Sequence, residues 1–135
     1  MNAFYLIKGL PSFLIYLGIS MACIVVFAWV YVRLTQHKEM PLILDGNLTA
    51  ALGFSGVLLG YTAVLASVIA HSVNIVDLLA WALIAAGVQT MGYLLMRVLI
   101  KDLTQSIESD RVSVGVLYGV CSLGLGVINA ACISY

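Results

Sequence analysis

The sequence predicts an all-α membrane protein in which four transmembrane helices form two tandem, parallel-repeat hairpins. Three observations carry that expectation: composition, four long charge-free stretches, and a self-alignment at one fixed offset. Of 135 residues, 63% are apolar and 9% charged, whereas a soluble domain carries about 25% charged residues. Such a chain has too few polar groups to face water over its whole surface. Its net charge is zero and its six cations are scattered, so it lacks the basic footprint needed to grip a phosphate backbone, and nucleic acid is excluded as a partner. Two prolines and the lack of a low-complexity tract likewise exclude a disordered chain.

Crossing a bilayer takes about 20 apolar residues in a helix, because backbone groups cannot be solvated in hydrocarbon. Residues 13–32, 48–70, 78–96 and 112–135 satisfy that requirement. Barrel strands would instead alternate in polarity over about 10 residues. The first stretch, behind Lys8, is longer than a signal-peptide core of about 7–15 residues and reads as a retained span. Ser20-Met21-Ala22-Cys23 lacks the leucine of a lipoprotein cleavage site and lies deep within that span.

The connection after the first span carries His37 and Glu39 in a solvated loop, with Pro41 and Gly46 making it turn-like. In the next connection Asp77 reads as the N-cap of the third span, well placed for the helix dipole, or as a carboxylate ring at an outer pore mouth. In 98–110, Leu99, Ile100, Leu103 and Ile107 recur at helical steps between Lys101, Asp102 and Glu108. That pattern predicts an amphipathic helix that continues the third span or lies along the surface, a docking place for lipid or a cytoplasmic protein.

Arg33, Lys38, Arg97, Lys101 and Arg111 lie on the two longer connections and Lys8 on the other side. The positive-inside bias then places those connections in the cytoplasm and both termini in the periplasm. Trp29, Tyr31 and Tyr93 are expected at the inner interface, with Tyr5, Trp81 and Tyr135 at the outer one. Arg33 and Arg97 read as inner-interface anchors that snorkel to lipid phosphates.

Sliding the chain by 64 residues aligns Arg33 with Arg97, Ile43 with Ile107 and Gly60 with Gly124. The whole chain, 1–135, then forms one four-span domain of two units, about 11–71 and 75–135, related by an axis along the membrane normal. In the second span Gly53, Gly56, Gly60, Ala63, Ser67 and Ala70 recur at steps of three and four, as do Gly115, Gly119, Ser122, Gly126 and Asn129 in the fourth. Small residues let helix backbones approach closely in lipid, so these are the expected packing seams, with left-handed crossing near +20°.

No Asp, Glu, Lys, Arg or His falls within the four stretches, which disfavours a proton-coupled pump. The neutral polar candidates are Gln89, Thr90, Asn129, Ser55 and Thr62, either as interhelical glue or as the lining of a pore. His37 and Glu39 alone fall short of a zinc site, and no nucleophilic triad, Walker loop or dinucleotide fingerprint is present. The three cysteines, Cys23, Cys121 and Cys132, provide no disulfide framework and sit in apolar surroundings that keep thiols inert. No enzyme activity, metal or cofactor is expected.

The run Gly53 to Tyr61, then Asp77 with Ala80-Trp81, then Asn129-Ala130-Ala131-Cys132 resembles the YjfL-like inner-membrane proteins, and Thr35, His37 and Glu39 fit that family's first cytoplasmic connection. The resemblance covers essentially the whole chain and implies a bacterial inner membrane and four spans, without implying a reaction. Arg111-Val112-Ser113-Val114 departs from the Asn-Thr-Ala-Ala-like entry that the family shows at its last span. The resulting expectation is a non-enzymatic inner-membrane protein, forming a homo-oligomeric scaffold or membrane-stress component through its glycine seams. The alternative is a small oligomeric channel or transporter with its path along the symmetry axis.

Overall fold

The computed structural model describes residues 3–133, all of whose regular elements are helices. Helix α1 is Ala3–Leu34, α2 Glu39–Leu44, α3 Leu48–His71, α4 Ile75–Leu99, α5 Leu103–Glu108 and α6 Val112–Cys132. The helices α1, α3, α4 and α6 are long and apolar enough to cross a membrane. The first begins about ten residues earlier than the charge pattern suggested and runs through Pro11. Proline lacks a backbone donor and normally interrupts a helix, but α1 continues across it without a break.

Packing is dominated by α3 against α6. Their contacts advance together along both chains, from Thr49 with Gly115, through Gly53 with Tyr118 and Gly56 with Gly119, to Gly60 with Gly126. The two helices are therefore parallel, each entering beside the short helices and leaving at the far end. Helix α4 lies across this pair. Its Ala82 carbonyl accepts a 3.2 Å bond from the Tyr61 hydroxyl, and Gly92 admits the Leu125 side chain. Helix α1 sits at the edge, with only Ser20, Phe27 and Tyr31 buried. Phe27 stacks on Tyr61 at 4.1 Å between ring centres, and Tyr31 meets Phe54 and Tyr93. Aromatic contact over one half of its length is what attaches α1.

The connections differ from their sequence reading. The turn-like segment folds as α2, because Pro41 falls in the first turn, where a missing N–H costs no hydrogen bond. It ends at Gly46, whose φ of +90° favours glycine. The 98–110 segment does not continue α4 beyond Leu99, and its apolar stripe is divided, with Leu99 exposed and Leu103 and Ile107 buried. Helix α4 stops at Leu99, Asp102 turns left-handed at φ 59°, and α5 buries Leu103, Ser106 and Ile107. The α5 part of the expected amphipathic face is thus buried inside the chain, leaving Gln105 and Glu108 exposed. At the other end Asp77 is not the N-cap of α4. Asn74 is, accepting from the Asp77 N–H at 2.9 Å, while the Asp77 carboxylate accepts from the Val73 N–H at 3.1 Å. The pair resembles the Ser/Thr-Glu capping box, built from Asn and Asp, except that Asp77 reaches the N–H one residue before the N-cap.

Candidate functional site

Among the described residues, polar side chains from different helices come together at two places: the α3–α6 seam and the polar knot where α2 and α5 meet the bundle. At the seam, Gly56 faces the Gly119 backbone, a Cβ on Gly119 would come within 2.5 Å of the Leu52 carbonyl oxygen, and Gly126 abuts the Gly60 backbone. Close approach leaves no room for side chains, which is why glycine recurs there. Ser122 is buried on the same face and Ala63 half-buried, while the Ser67 hydroxyl donates to the Ala130 carbonyl at 2.8 Å. The seams expected from the sequence therefore meet each other within one chain. They are buried inside it and unavailable to a second copy.

Gln89 closes the third side. Its amide donates to the carbonyls of Val57 on α3 and Ser122 on α6, at 3.1 and 3.0 Å, from a fully buried position on α4. One carboxamide thus ties three spans together at mid-depth, in hydrocarbon where each such bond is worth about 0.6 kcal/mol. The other polar candidates do not converge on it. Thr90 and Thr62 return their hydroxyls to the Ala86 and Leu58 carbonyls of their own helices. Ser55 is exposed, and Asn129 is half-buried with its amide nitrogen lacking a partner among the described residues. Among the described residues these side chains form no continuous polar file along the bundle.

The second place lies at the arginine-bearing end. Asn47 caps α3 by accepting from the Ala50 N–H at 2.8 Å and donates to the Ile107 carbonyl of α5 at 2.7 Å. Asp110 reaches back across the same joint, accepting from both the backbone N–H and the hydroxyl of Thr49, at 3.0 and 2.8 Å. Those Thr49 bonds hold the Asp110 carboxyl below the ordinary carboxylate range. Negative charge at the start of α3 also complements the helix dipole. Each half of the chain therefore caps or clamps the other.

His37 and Glu39 are not solvated as expected. Both are buried, at 2% and 0% exposure, with His37 Nε2 2.9 Å from Glu39 Oε1. Burial pushes the Glu39 carboxyl up, against the opposing pull of His37. Beside them Tyr93 is a hub. Its ring centre lies 6.3 Å from that of His37, 5.7 Å from Tyr31 and 6.2 Å from Tyr118, and its hydroxyl accepts from the Gln36 N–H. Tyr31 and Tyr93 are thus core residues rather than interfacial ones, whereas Trp29 is exposed and stacks under the Arg33 guanidinium at 5.0 Å. Tyr5 is exposed and Trp81 half-buried; Tyr135 lies outside the described residues. Arg33 and Arg97 are both exposed at this end. Sequence reasoning missed Asn47, Thr49, Asp110, Tyr118 and the burial of His37. The Asn-x-Thr spacing ahead of α3 was the available signal for the first two.

The chain matches the family described as Domain of Unknown Function (DUF350) over residues 5–133. It is 33% identical over 131 residues to the UPF0719 inner membrane protein YjfL of Escherichia coli (strain K12), covering 97% of this chain and 99% of that protein. To the UPF0719 transmembrane protein YshE of Bacillus subtilis (strain 168) it is 28% identical over 118 residues, covering 86% and 88%. No solved structure matches. The match takes in all six helices, the seam and the polar knot, and it agrees with the resemblance read from the sequence. The chain, a membrane protein with four apolar helices, belongs to the DUF350 family.

Proposed function

We propose that the protein is a non-enzymatic component of a bacterial inner membrane, with both termini periplasmic, that works as a homo-oligomeric scaffold or membrane-stress component. The observation that supports this reading is the division of labour among its helices. The seam glycines, Gln89 and Ser122 are engaged in holding α3, α4 and α6 together, so the polar groups at mid-depth are taken up by helix packing. Surface for neighbours is instead supplied by the first half of α1, where residues 3–18 include no buried side chain. Gly9 and Gly18 there have open space where a Cβ would stand and lie half a turn apart around α1, so a neighbouring helix could approach closely at either. Copies would meet through this half of α1 rather than through the seams.

The same reading takes the chain as a duplicated hairpin. Helices α2 and α5 begin at 39 and 103, and α3 and α6 at 48 and 112, both pairs 64 apart. Mass measurement in native lipid tests the assembly: multimers that Gly9→Leu with Gly18→Leu dissociates are expected, and a strictly monomeric wild type would overturn it. Reproducible, Gln89-dependent ion flux in proteoliposomes would overturn the scaffold in favour of a conducting assembly.

A further inference from the structure

A groove of about 920 Å³ runs between α4 and the second half of α1, whose residues 19–30 line it, beyond the 3–18 segment assigned above to copies. Ala22, Val26 and Val30 line it from α1, Leu83, Gly87 and Leu94 from α4, and Phe27 on Tyr61 forms its floor. Its two hydroxyls are already committed: Tyr61 to the Ala82 carbonyl and Thr90 to the Ala86 carbonyl. An occupant at this depth therefore needs hydrocarbon and no polar group.

The ends of the groove are not equivalent. Arg33 stands three residues beyond Val30, and Arg97 three beyond Leu94, so each continues its helix's groove-facing stripe by one turn. The stripes draw together there, since Tyr31 and Tyr93 meet at 5.7 Å. Both arginines are exposed, and among the described residues neither has an acidic partner. Two guanidiniums without a carboxylate partner at one end of an apolar slot, Arg33 resting on Trp29 beside it, match one chemistry: hydrocarbon chains headed by a phosphate. A helix of a second copy fits less well. The described spans α1, α3, α4 and α6 carry one carboxylate, Asp77, which lies at the opposite end, so such a helix would bring no anion to the arginines.

We infer that the α1–α4 groove is a binding site for an anionic phospholipid, its acyl chain between the helices and its phosphate held by Arg33 and Arg97. The test exchanges the full-length protein into nanodiscs of phosphatidylcholine with a minor share of phosphatidylglycerol, then measures retained lipid per chain by native mass spectrometry. Wild type is expected to retain phosphatidylglycerol in preference to phosphatidylcholine. With about 1 kcal/mol per cation at an anionic surface, R33Q/R97Q should lower that preference by roughly thirtyfold. Gly87→Leu fills the groove from a position where a Cβ meets nothing, and should reduce retention of both lipids while leaving folding intact. Soluble glycerol 3-phosphate should not displace the lipid. Equal retention of the two lipids by wild type, an unaltered R33Q/R97Q preference, displacement by glycerol 3-phosphate alone, or a Gly87→Leu change confined to copy number would each overturn the site.

Discussion

Adding one methyl group at Gly56 should unfold the protein more readily, although the same change elsewhere on a helix is stabilising. A Cβ at Gly56 would collide with the oxygen, Cα and carbonyl carbon of Gly119, all backbone atoms of the parallel helix α6. Backbone cannot rotate aside as a side chain can, so α3 and α6 must separate. Overpacking of this kind costs roughly 3 kcal/mol at its upper range, and alanine returns about 1 kcal/mol of helix propensity. The net expectation is about 2 kcal/mol of destabilisation from these two terms. Gly124→Ala is the matched control. It also lies on α6, but its Cβ would meet nothing within 4 Å, so only the propensity gain remains. Denaturation by sodium dodecyl sulfate in mixed micelles, followed through Trp29 and Trp81 fluorescence, compares the two. If Gly56→Ala were as stable as Gly124→Ala, the parallel contact between α3 and α6 would be wrong.

Gln89→Leu removes the two bonds to Val57 and Ser122 and should cost about 1 kcal/mol at about 0.6 per bond; because the bonds are within one chain, native mass measurement should show copy number unchanged. Asp110, held below its ordinary range by Thr49, contributes stability that is present above about pH 3.9 and disappears as pH falls through its lowered value. An acid titration of the unfolding midpoint should therefore lose its lowest-pH step in Asp110→Asn. Glu39 has the opposite sign: with its folded pKa raised by burial, its contribution is complete below about pH 4.3 and is lost as pH rises through the raised value. Glu39→Gln keeps an acceptor for His37 without a charge, so its midpoint should exceed that of wild type increasingly toward neutral pH, and a parallel pair of pH profiles would contradict the burial argument.

The spans were legible because hydrocarbon imposes one rule on every backbone group, and the seams because close helix approach admits few residue types. What a seam touches was not legible. Gly56 and Gly119 show the same small-residue pattern whether they face each other or another chain, and only the fold decides between them. The connections failed for a different reason. His37, Glu39 and Asp110 are polar residues in a polar-looking loop, and composition alone places them in water. The burial of His37 and Glu39 and the clamping of the exposed Asp110 onto Thr49 depend on neighbours distant in sequence, since Tyr93 lies 57 residues from Gln36 and Thr49 61 residues from Asp110. Likewise Leu103 and Ile107 announce an apolar face but not its direction. Packing turned that face inward, because the left-handed residue Asp102 breaks the line of α4 just ahead of it.

The two halves meet the same geometric demand with different chemistry, and the difference is where the joint acquires its strength. At the offset of 64, Gly46 corresponds to Asp110, and both adopt positive φ immediately before a residue that opens a spanning helix. Glycine satisfies that turn without a steric penalty but contributes no side chain. Aspartate tolerates the left-handed region better than most residues, and here its carboxylate is used, clamping Thr49 at the start of α3. The next position is exchanged in the reverse sense: Asn47 caps its own helix and grips Ile107, whereas its counterpart Arg111 makes no side-chain cap. The missing cap of α6 therefore coincides with a turn residue that serves α3 instead. Both polar contributions fall on one helix start, the one whose next turns carry Gly53 and Gly56 against α6. Fixing the entry of α3 sets the register in which backbone meets backbone, and a slip there would put side chains where only glycine fits.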